Sequence, residues 1–578
     1  MGPSGSGKTT LLNLLGGRNL ELTEGEVKLN GVPWKKSFKK LVGFVKQEDI
    51  FYQHLTVREQ LEFSALLRMP VSLPRKRKLQ EVGRVIAILA MESCENTTIA
   101  LISGGEKKRA NIGTELLSDP SVLLLDEPTS GLDSTSAYSL VVTLRKLAAL
   151  GKTVISSIHQ PSSQVYRMFD KVMLLCDGKQ VFSGRGDAVM PYLSTKGFSC
   201  DMSFNPADFM LDVMSAQPTQ DWFNPNNTTH LKYSSKEGQL PKHCLMDEWD
   251  NDAEGARVGQ MVQAMGRVGG AATGSEAPGG KDPLALASPK EFEERLGQAR
   301  LGWLEQFRIL YLRSTKNTRA DLFTFLNIFQ SVAMAFICGV LFFGLDSSES
   351  SIDKNSGLLF FTTSFWVFNS MFNALMAFPA ERVVIKKERE SGSYNLSAFF
   401  LAKSFSEAPV RLTMPLMFVT IAYWFAGLNP APGAFFGMVL TNMLGVLAGE
   451  SLGLLFGAAI VDAEKAVVAS TLYLLTMLLV GGFFISDVPE WLAWLEYLSP
   501  FRYTYQGTLL FQFDTNSSGA ECDGSGVLAY CFETGIGGVA PPSVVLEYLN
   551  QTGSVALNLG VLALMFVTVR IAAYYCLR

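Results

Sequence analysis

The chain has 578 residues and a formal net charge of −4. That length is far beyond what one hydrophobic core serves, so at least two domains are expected. A faintly acidic balance without a concentrated basic face gives no reason to expect a nucleic-acid partner. Charge is unevenly spread: residues 1–300 are dense in Lys, Arg, Asp and Glu, whereas residues 320–578 hold long uncharged runs of Phe, Leu, Val, Gly and Met. A soluble α/β half followed by a helical membrane half is the expected plan.

In chain order, Gly2-Pro3-Ser4-Gly5-Ser6-Gly7-Lys8-Thr9 comes first and fits the phosphate-binding pattern G-x-x-x-x-G-K-[ST] in full. Glycines let backbone N–H groups close around phosphate oxygens, and the helix from Thr9 to Leu15 points its positive end at them. Gly2, Ser4, Gly5, Gly7, Lys8, Thr9 and Thr10 are therefore the candidate nucleotide contacts. Lys8 supplies a point charge, and the Thr9 hydroxyl a magnesium ligand. Such a loop usually hangs between a strand and a helix. No strand precedes Gly2, and the sequence is expected to be truncated upstream.

Ser121-Val122-Leu123-Leu124-Leu125 reads as a buried parallel strand ending in two acids, and Thr153–Ile158 as another. Asp126, at the strand end, is placed to hold Mg²⁺, and Glu127 to orient or deprotonate the attacking water. From residue 217 to about residue 290 the pattern collapses into Asn-, Gly-, Ala- and Pro-rich sequence, so residues 215–295 are assigned to a flexible linker between domains at 1–214 and 296–578. Leu301, Leu304, Phe307 and Leu310 then recur among Arg300, Arg308 and Arg313. This amphipathic helix either lies along a membrane surface or packs as an ordinary helix.

Six segments approach the length needed to cross ~30 Å of hydrocarbon: Leu322–Leu345, Gly357–Pro379, Leu412–Leu428, Gly433–Val461, Ala466–Ser486 and Ser554–Val569. The third is short and would begin earlier with Glu407 and Arg411 at an interface. The basic run Arg382–Arg389 between spans two and three is expected on the cytosolic side, and the acidic, Ser-rich loop after span one outside. With six spans both termini are cytosolic, and the loop at 487–553 lies outside. That loop carries Cys522 and Cys531 near Asn516-Ser517-Ser518, a glycosylation sequon. A close Cys pair beside a sequon suits an oxidising compartment, with pairing left open. The remaining cysteines show no metal-ligand spacing, and Cys94, Cys176, Cys200 and Cys244 read as cytosolic thiols. Trp491, Trp494 and Tyr497 look interfacial, and residues 488–512 are too polar to span, which suits a re-entrant or interfacial hairpin.

Further motifs narrow the class. Ile102-Ser103-Gly104-Gly105-Glu106 resembles the signature motif of the ABC transporters, with Glu106 where many members have Gln. Ser130-Gly131-Leu132-Asp133 resembles the D-loop, Gln47 the Q-loop residue, and His159 in Ser157-Ile158-His159-Gln160-Pro161 the switch histidine. All of these occur in family order across residues 2–159. A cassette placed before the spans resembles the G subfamily, the white/brown and sterol- and drug-exporting half-transporters. Leu55–Glu59, Asn205–Phe209 and Glu388–Gly392 with Tyr394 strengthen the likeness. The family's aromatic that stacks on adenine, together with the strand before the phosphate loop, is missing.

The resemblance implies an α/β P-loop ATP-binding cassette followed by an all-α six-helix transmembrane domain. It also implies ATP with Mg²⁺ held by Thr9, Gln47 and Asp126, and Glu127, His159 and Gln47 in catalysis. Ser103, Gly104, Gly105 and Asp133 would meet nucleotide across a homo- or heterodimer interface in the bilayer. On span two Asn369 and Phe372 match positions facing the family's central cavity, and Phe483 and Phe484 resemble the apolar plug above it. Glu450, inside span four, either lines a polar path, pairs with a base such as Arg502, or stays protonated. The expected activity is ATP-driven export of a lipid, sterol or amphipathic small molecule. The alternative is a truncated subunit unable to hydrolyse ATP that serves as a regulatory or dimer partner.

Overall fold

The structure is a computed structural model that describes residues 1–18, 25–196, 198, 205–215, 301–322, 324–346, 348–485, 488–513, 519–523, 525, 527–534, 537–551 and 553–578. The expected linker beyond Ser215, Asn516 with its sequon, Cys200 and Cys244 lie outside the described residues. The chain divides into two compact units, Met1–Gly302 with Glu390–Ser393, and Trp303–Arg389 with Tyr394–Arg578.

The first unit is built on a three-stranded parallel sheet in which Val122–Leu125 is central, flanked by Val42–Val45 and Thr153–Ser156. Both faces of the central strand are covered, which explains its unbroken apolar run. Leu123 and Leu125 pack with Leu61, Val85, Ile112 and Leu144 on one face, and Leu124 with Leu12 and Phe44 on the other. The three strands end together, so Gln47, Asp126 with Glu127, and Ser157 emerge at one edge, where open α/β sheets bind ligands. An antiparallel pair, Lys171–Cys176 and Lys179–Arg185, follows. Met1 joins it: its amine donates to Met173 O at 2.6 Å, and Leu175 N donates to Met1 O at 2.9 Å, the alternation of a parallel ladder. The phosphate loop thus leaves from a strand position. Among the described residues Thr153–Ser156 is paired along one edge only.

In the second unit each predicted span overlaps a helix, namely Phe325–Leu341, Ile352–Glu390, Thr413–Ala426, Pro432–Ala459, Ala463–Leu479 and Val555–Leu577, and the first and fifth end before the predicted bounds. Four stretches are long and apolar enough to cross a membrane, namely Glu349–Pro379, Leu396–Ala426, Pro432–Ala459 and Val555–Leu577. The pair Trp303–Ala320 and Phe325–Leu341, bent by 65°, makes a fifth only when taken as one broken span. Ala463–Leu479 has 17 residues, about 25 Å at 1.5 Å per residue, short of the hydrocarbon thickness. The six-helix expectation therefore stands at four to five helices of full spanning length among the described residues.

One expectation is corrected. The third span does begin earlier than Leu412, as expected, but with Glu407 and Arg411 inside an ion network rather than at an interface. The helix begins at Leu396, and both lie in a buried network. Lys403 Nζ pairs with Glu381 and, at 2.6 Å, with Glu407; Arg411 Nη2 meets Glu407 at 3.2 Å. Glu450 is fully buried and meets Arg570 Nη2 at 3.1 Å and Arg411 Nε at 3.8 Å. Three acids face three bases, so the cluster closes without net charge and the apolar surroundings tolerate it. The expected partner Arg502 pairs instead with Glu496.

Cys522 and Cys531 form a disulfide with Cα atoms 5.4 Å apart. Their loop packs on Ile352, Leu528, Ala540 and Val545. The expected hairpin is a 3-10 turn, Ala493–Leu498, followed by a largely buried helix, Pro500–Phe513, while Trp491, Trp494 and Tyr497 are exposed. The amphipathic stretch is the helix Trp303–Leu322, packed along Leu396–Arg411.

Candidate ATP site

The phosphate loop is shaped by its glycines. A Cβ on Gly2 would stand 2.2 Å from Leu175 O, so only glycine lets the chain leave the ladder there. Gly7, at φ 91°, is the left-handed N-cap of the helix Lys8–Leu15. Lys8 is buried and its ammonium turns into the loop, donating to Gly2 O at 2.8 Å and Pro3 O at 2.9 Å. Ser6 Oγ is buried without a partner. A cation and an unused hydroxyl facing backbone N–H groups at a helix start form a cradle that fits phosphate oxygens.

Across the strand ends runs a chain of hydrogen bonds. Thr9 Oγ1 donates to Asp126 Oδ1 at 3.1 Å, and Ser157 Oγ donates to the same oxygen at 2.7 Å. Glu127 N donates to Ser157 Oγ at 2.8 Å, and Gln47 Nε2 donates to Glu127 Oε2 at 2.9 Å. The hydroxyl of Thr9, the carboxylate of Asp126 and the amide of Gln47 form an all-oxygen donor set, which fits magnesium. Glu127 sits at φ 44°, a position that turns its side chain off the strand line. A cleft of about 460 Å³ opens here, lined by Thr9, Asn13, Gln47 and Asp126 among others. His159 is exposed just past buried Ile158. Thr10 is exposed on the first helical turn.

The signature residues form a second, separate element. Ser103 caps the helix Gly104–Leu116: its Oγ accepts from Glu106 N at 3.3 Å, while Ser103 N donates to Glu106 Oε2 at 2.8 Å. Ser103's backbone N–H holds the Glu106 carboxyl below its ordinary value, aided by the Ser103 hydroxyl and opposed by partial burial. Asp133 likewise caps Ser134–Ala149, accepting from Thr135 N and Ser136 N, and Ser136 draws its carboxyl below the usual range. Among the described residues no hydrogen bond joins Ser103 to the phosphate loop.

Sequence reasoning missed three contributors. Ser157 ties Asp126 to the Glu127 backbone. Lys108 reaches from the signature helix to Gln47 O and pairs with Asp49 at 3.3 Å, and Asn111 Nδ2 donates to Asp49 Oδ1 at 3.0 Å. The signal for the latter two was their spacing, three residues apart on one helical face and buried although polar.

The sequence also matches known proteins. The family described as ABC transporter matches residues 1–130, and the one described as ABC-2 type transporter matches residues 305–513. ABC transporter G family member 14 of Arabidopsis thaliana is 39% identical over 527 residues, covering 90% of this chain and 77% of that protein. The chain belongs to the ABC transporter G family. G family member 21 of the same plant is 37% identical across 100% of the chain and 83% of the relative, and Protein white of Drosophila melanogaster 32% identical across 100% and 80%. A G-family chain carries an ATPase coupled to transport across a membrane, and the P-loop chemistry above serves that activity.

The residues expected at a substrate cavity of this G-family chain do not converge. Asn369 lines a cavity of about 90 Å³ with Asn327, Gln330, Ser370 and Asn373, and its Oδ1 accepts from Asn373 Nδ2 at 2.7 Å. Phe372 is absent from that lining and stacks on Phe368 at 6.3 Å. Phe483 stacks on Phe360 at 4.3 Å, with Phe484 edge-on at 5.3 Å and Tyr505 close by. Glu450 belongs to the ion network and lines no part of the Asn369 cavity.

Proposed function

We propose that this chain is half of a dimeric exporter that moves a lipid, sterol or amphipathic small molecule outward at the expense of ATP. The carrying observation is that one chain presents two incomplete sets: the bonded chain Thr9–Asp126–Ser157–Glu127–Gln47, and an exposed signature cap at Ser103 that it does not touch. Ser103 and Gly105 of one subunit, together with Asp133, complete the site over the Lys8 loop of the other, in a homodimer or a heterodimer. The cassette and both termini are cytosolic, and the loop with the Cys522–Cys531 disulfide is external. The basic Arg382–Arg389 segment and the disulfide support that placement.

In the closed dimer Lys8 and the loop N–H groups hold the β- and γ-phosphates. Thr9, Gln47 and Asp126 would hold the magnesium, which would supply charge that neutralises the phosphates. Glu127, fixed by Gln47 and by its own backbone bond to Ser157, takes the proton of the attacking water as the bond from the γ-phosphorus to ADP breaks. His159 stands at the neighbouring strand end to meet the γ-phosphate. Gln47, anchored by Lys108 of the signature helix, reports the state of the site to the rest of the unit.

Vanadate-sensitive ATPase of the purified protein in lipid nanodiscs tests this, paired with ATP-dependent uptake of lipid and sterol probes into inside-out vesicles. Activity from the single chain shows a homodimer. A folded sample with none points to an obligate partner subunit, or to a regulatory half that binds ATP without splitting it.

A further inference from the structure

The helix Trp303–Leu322 has two unlike faces. Gln306, Leu310, Arg313 and Thr318 are buried on the inner one. The Trp303 indole donates to Ser397 Oγ at 3.1 Å, and Phe307 meets Phe405 edge-on at 6.5 Å. The outer face is read at four-residue steps, which stack on one side of an α-helix. Leu304, Arg308, Leu312 and Lys316, then Arg319, are all exposed there.

Leu304 and Leu312 are 72% and 51% exposed, and Leu401 and Phe405 of the packed neighbour extend the apolar strip at 40% and 61%. A purely water-facing surface would not carry that strip, and a core-facing one would not carry Arg308 and Arg319. Leucine alternating with cation suits a bilayer interface, where apolar side chains enter the acyl boundary and charged heads remain among the headgroups. Direction agrees with composition. The helix meets Phe325–Leu341 at 65°, so if that helix crosses the bilayer, this one runs nearer the membrane plane. Among the described side chains of this helix Glu305 is exposed together with three cations, Arg308, Lys316 and Arg319. Lys386 and Arg389, near the end of Ile352–Glu390, add exposed positive charge to the same unit.

We propose that this face binds anionic phospholipid headgroups of the inner leaflet, making acidic lipid a bound partner of the transporter. The inference rests on the cytosolic placement given above, where the leaflet carries negative charge.

The intact protein, incubated in detergent with equal amounts of phosphatidylserine and phosphatidylcholine, is examined by native mass spectrometry, which counts each retained lipid. The wild type is expected to retain phosphatidylserine preferentially. Arg308→Gln with Arg319→Gln should cut the preference roughly fivefold per charge removed. Arg308→Lys with Arg319→Lys should keep it, separating lost charge from lost fold. A photoreactive leucine analogue at position 312 should crosslink to lipid in nanodiscs. Equal retention of both lipids by the wild type, an unchanged preference in the glutamine variant, or crosslinks from position 312 to a second copy of the chain would each overturn the proposal. Lipid retention needs no hydrolysis, so its failure is distinct from a failure of the exporter reading.

Discussion

In the nucleotide-binding unit Gln47, Asp126 and Glu127 stand at strand ends, linked by hydrogen bonds beside an open cleft. In the membrane unit Glu381, Glu407 and Glu450 lie inside helices against Lys403, Arg411 and Arg570. Gln47 is exposed and Glu127 half-buried, whereas Lys403, Glu407 and Glu450 are buried. A site that must admit phosphate, metal and water lies at the edge of a sheet, open to a cleft. A cluster that must stay put inside hydrocarbon closes its charges on one another. Removing a group should therefore stop chemistry in the first unit and loosen the fold in the second.

The largest separation is expected from Glu127→Gln. Losing a general base typically costs 10²–10⁴-fold in rate. ATPase should fall by about that factor, with ATP binding and thermal stability nearly unchanged. A melting temperature that fell along with activity would erase the contrast. Arg570→Met is the mirror experiment. It leaves the buried acids Glu381, Glu407 and Glu450 with two bases, Lys403 and Arg411, and breaking such a buried pair costs about 3–5 kcal/mol. A thermal melt should drop steeply, and Glu450→Gln in the same chain should restore much of it. Hydrolysis per folded molecule should stay near the wild-type value.

The same contrast explains what was legible in the sequence. Phosphate-loop spacing, the Leu125-Asp126-Glu127 strand end and the Ser103-Gly104-Gly105 signature are local patterns, because each site half is made by neighbours in the chain. The spans were readable because hydrocarbon demands long apolar runs. Ser157 was not singled out: its role depends on parallel pairing of Ser156 with Leu125, which no local pattern shows. Glu450 was recognised as an anomaly, with a polar path, a base such as Arg502 or a retained proton left open. Its true partner Arg570 lies 120 residues away, just past the predicted end of span six. The third span was expected to begin before Leu412 with Glu407 and Arg411 at an interface; it does begin earlier, at Leu396, but the two side chains are held in an ion network that no local pattern shows. Substrate-cavity residues were carried over by likeness alone, and side chains aligned by likeness need not share a cavity.

Ser157→Ala tests the join between strand pairing and chemistry. It removes one bond to Asp126 and one from the Glu127 N–H, and a buried group left unpaired costs about 1–3 kcal/mol. A loss of about tenfold in kcat is expected, with a smaller change in KM for ATP. Ser157→Thr, which keeps the hydroxyl, should recover most of it.

The smallest effect sharpens the comparison at the signature cap, where a charge sits in the open. Glu106 is held below its ordinary value by the Ser103 backbone N–H, so the ionised form is the one that caps the helix. The sign follows: the cap contributes fully above the ordinary carboxylate value near 4 and is lost as pH falls through the lowered folded-state value. Hydrogen exchange of residues 104–110 should therefore quicken as the medium is acidified below about pH 4. Glu106→Gln keeps the same hydrogen bonds without a titrating proton. It should cost no more than about 0.5 kcal/mol at neutral pH and exchange without that acid step. Asp133 caps a different helix, and its own acid step, confined to residues 134–140, should persist in the variant and serve as the internal reference. If residues 104–110 kept their acid step in the glutamine chain, the cap would owe its strength to Ser103 alone, and the carboxylate would be a bystander.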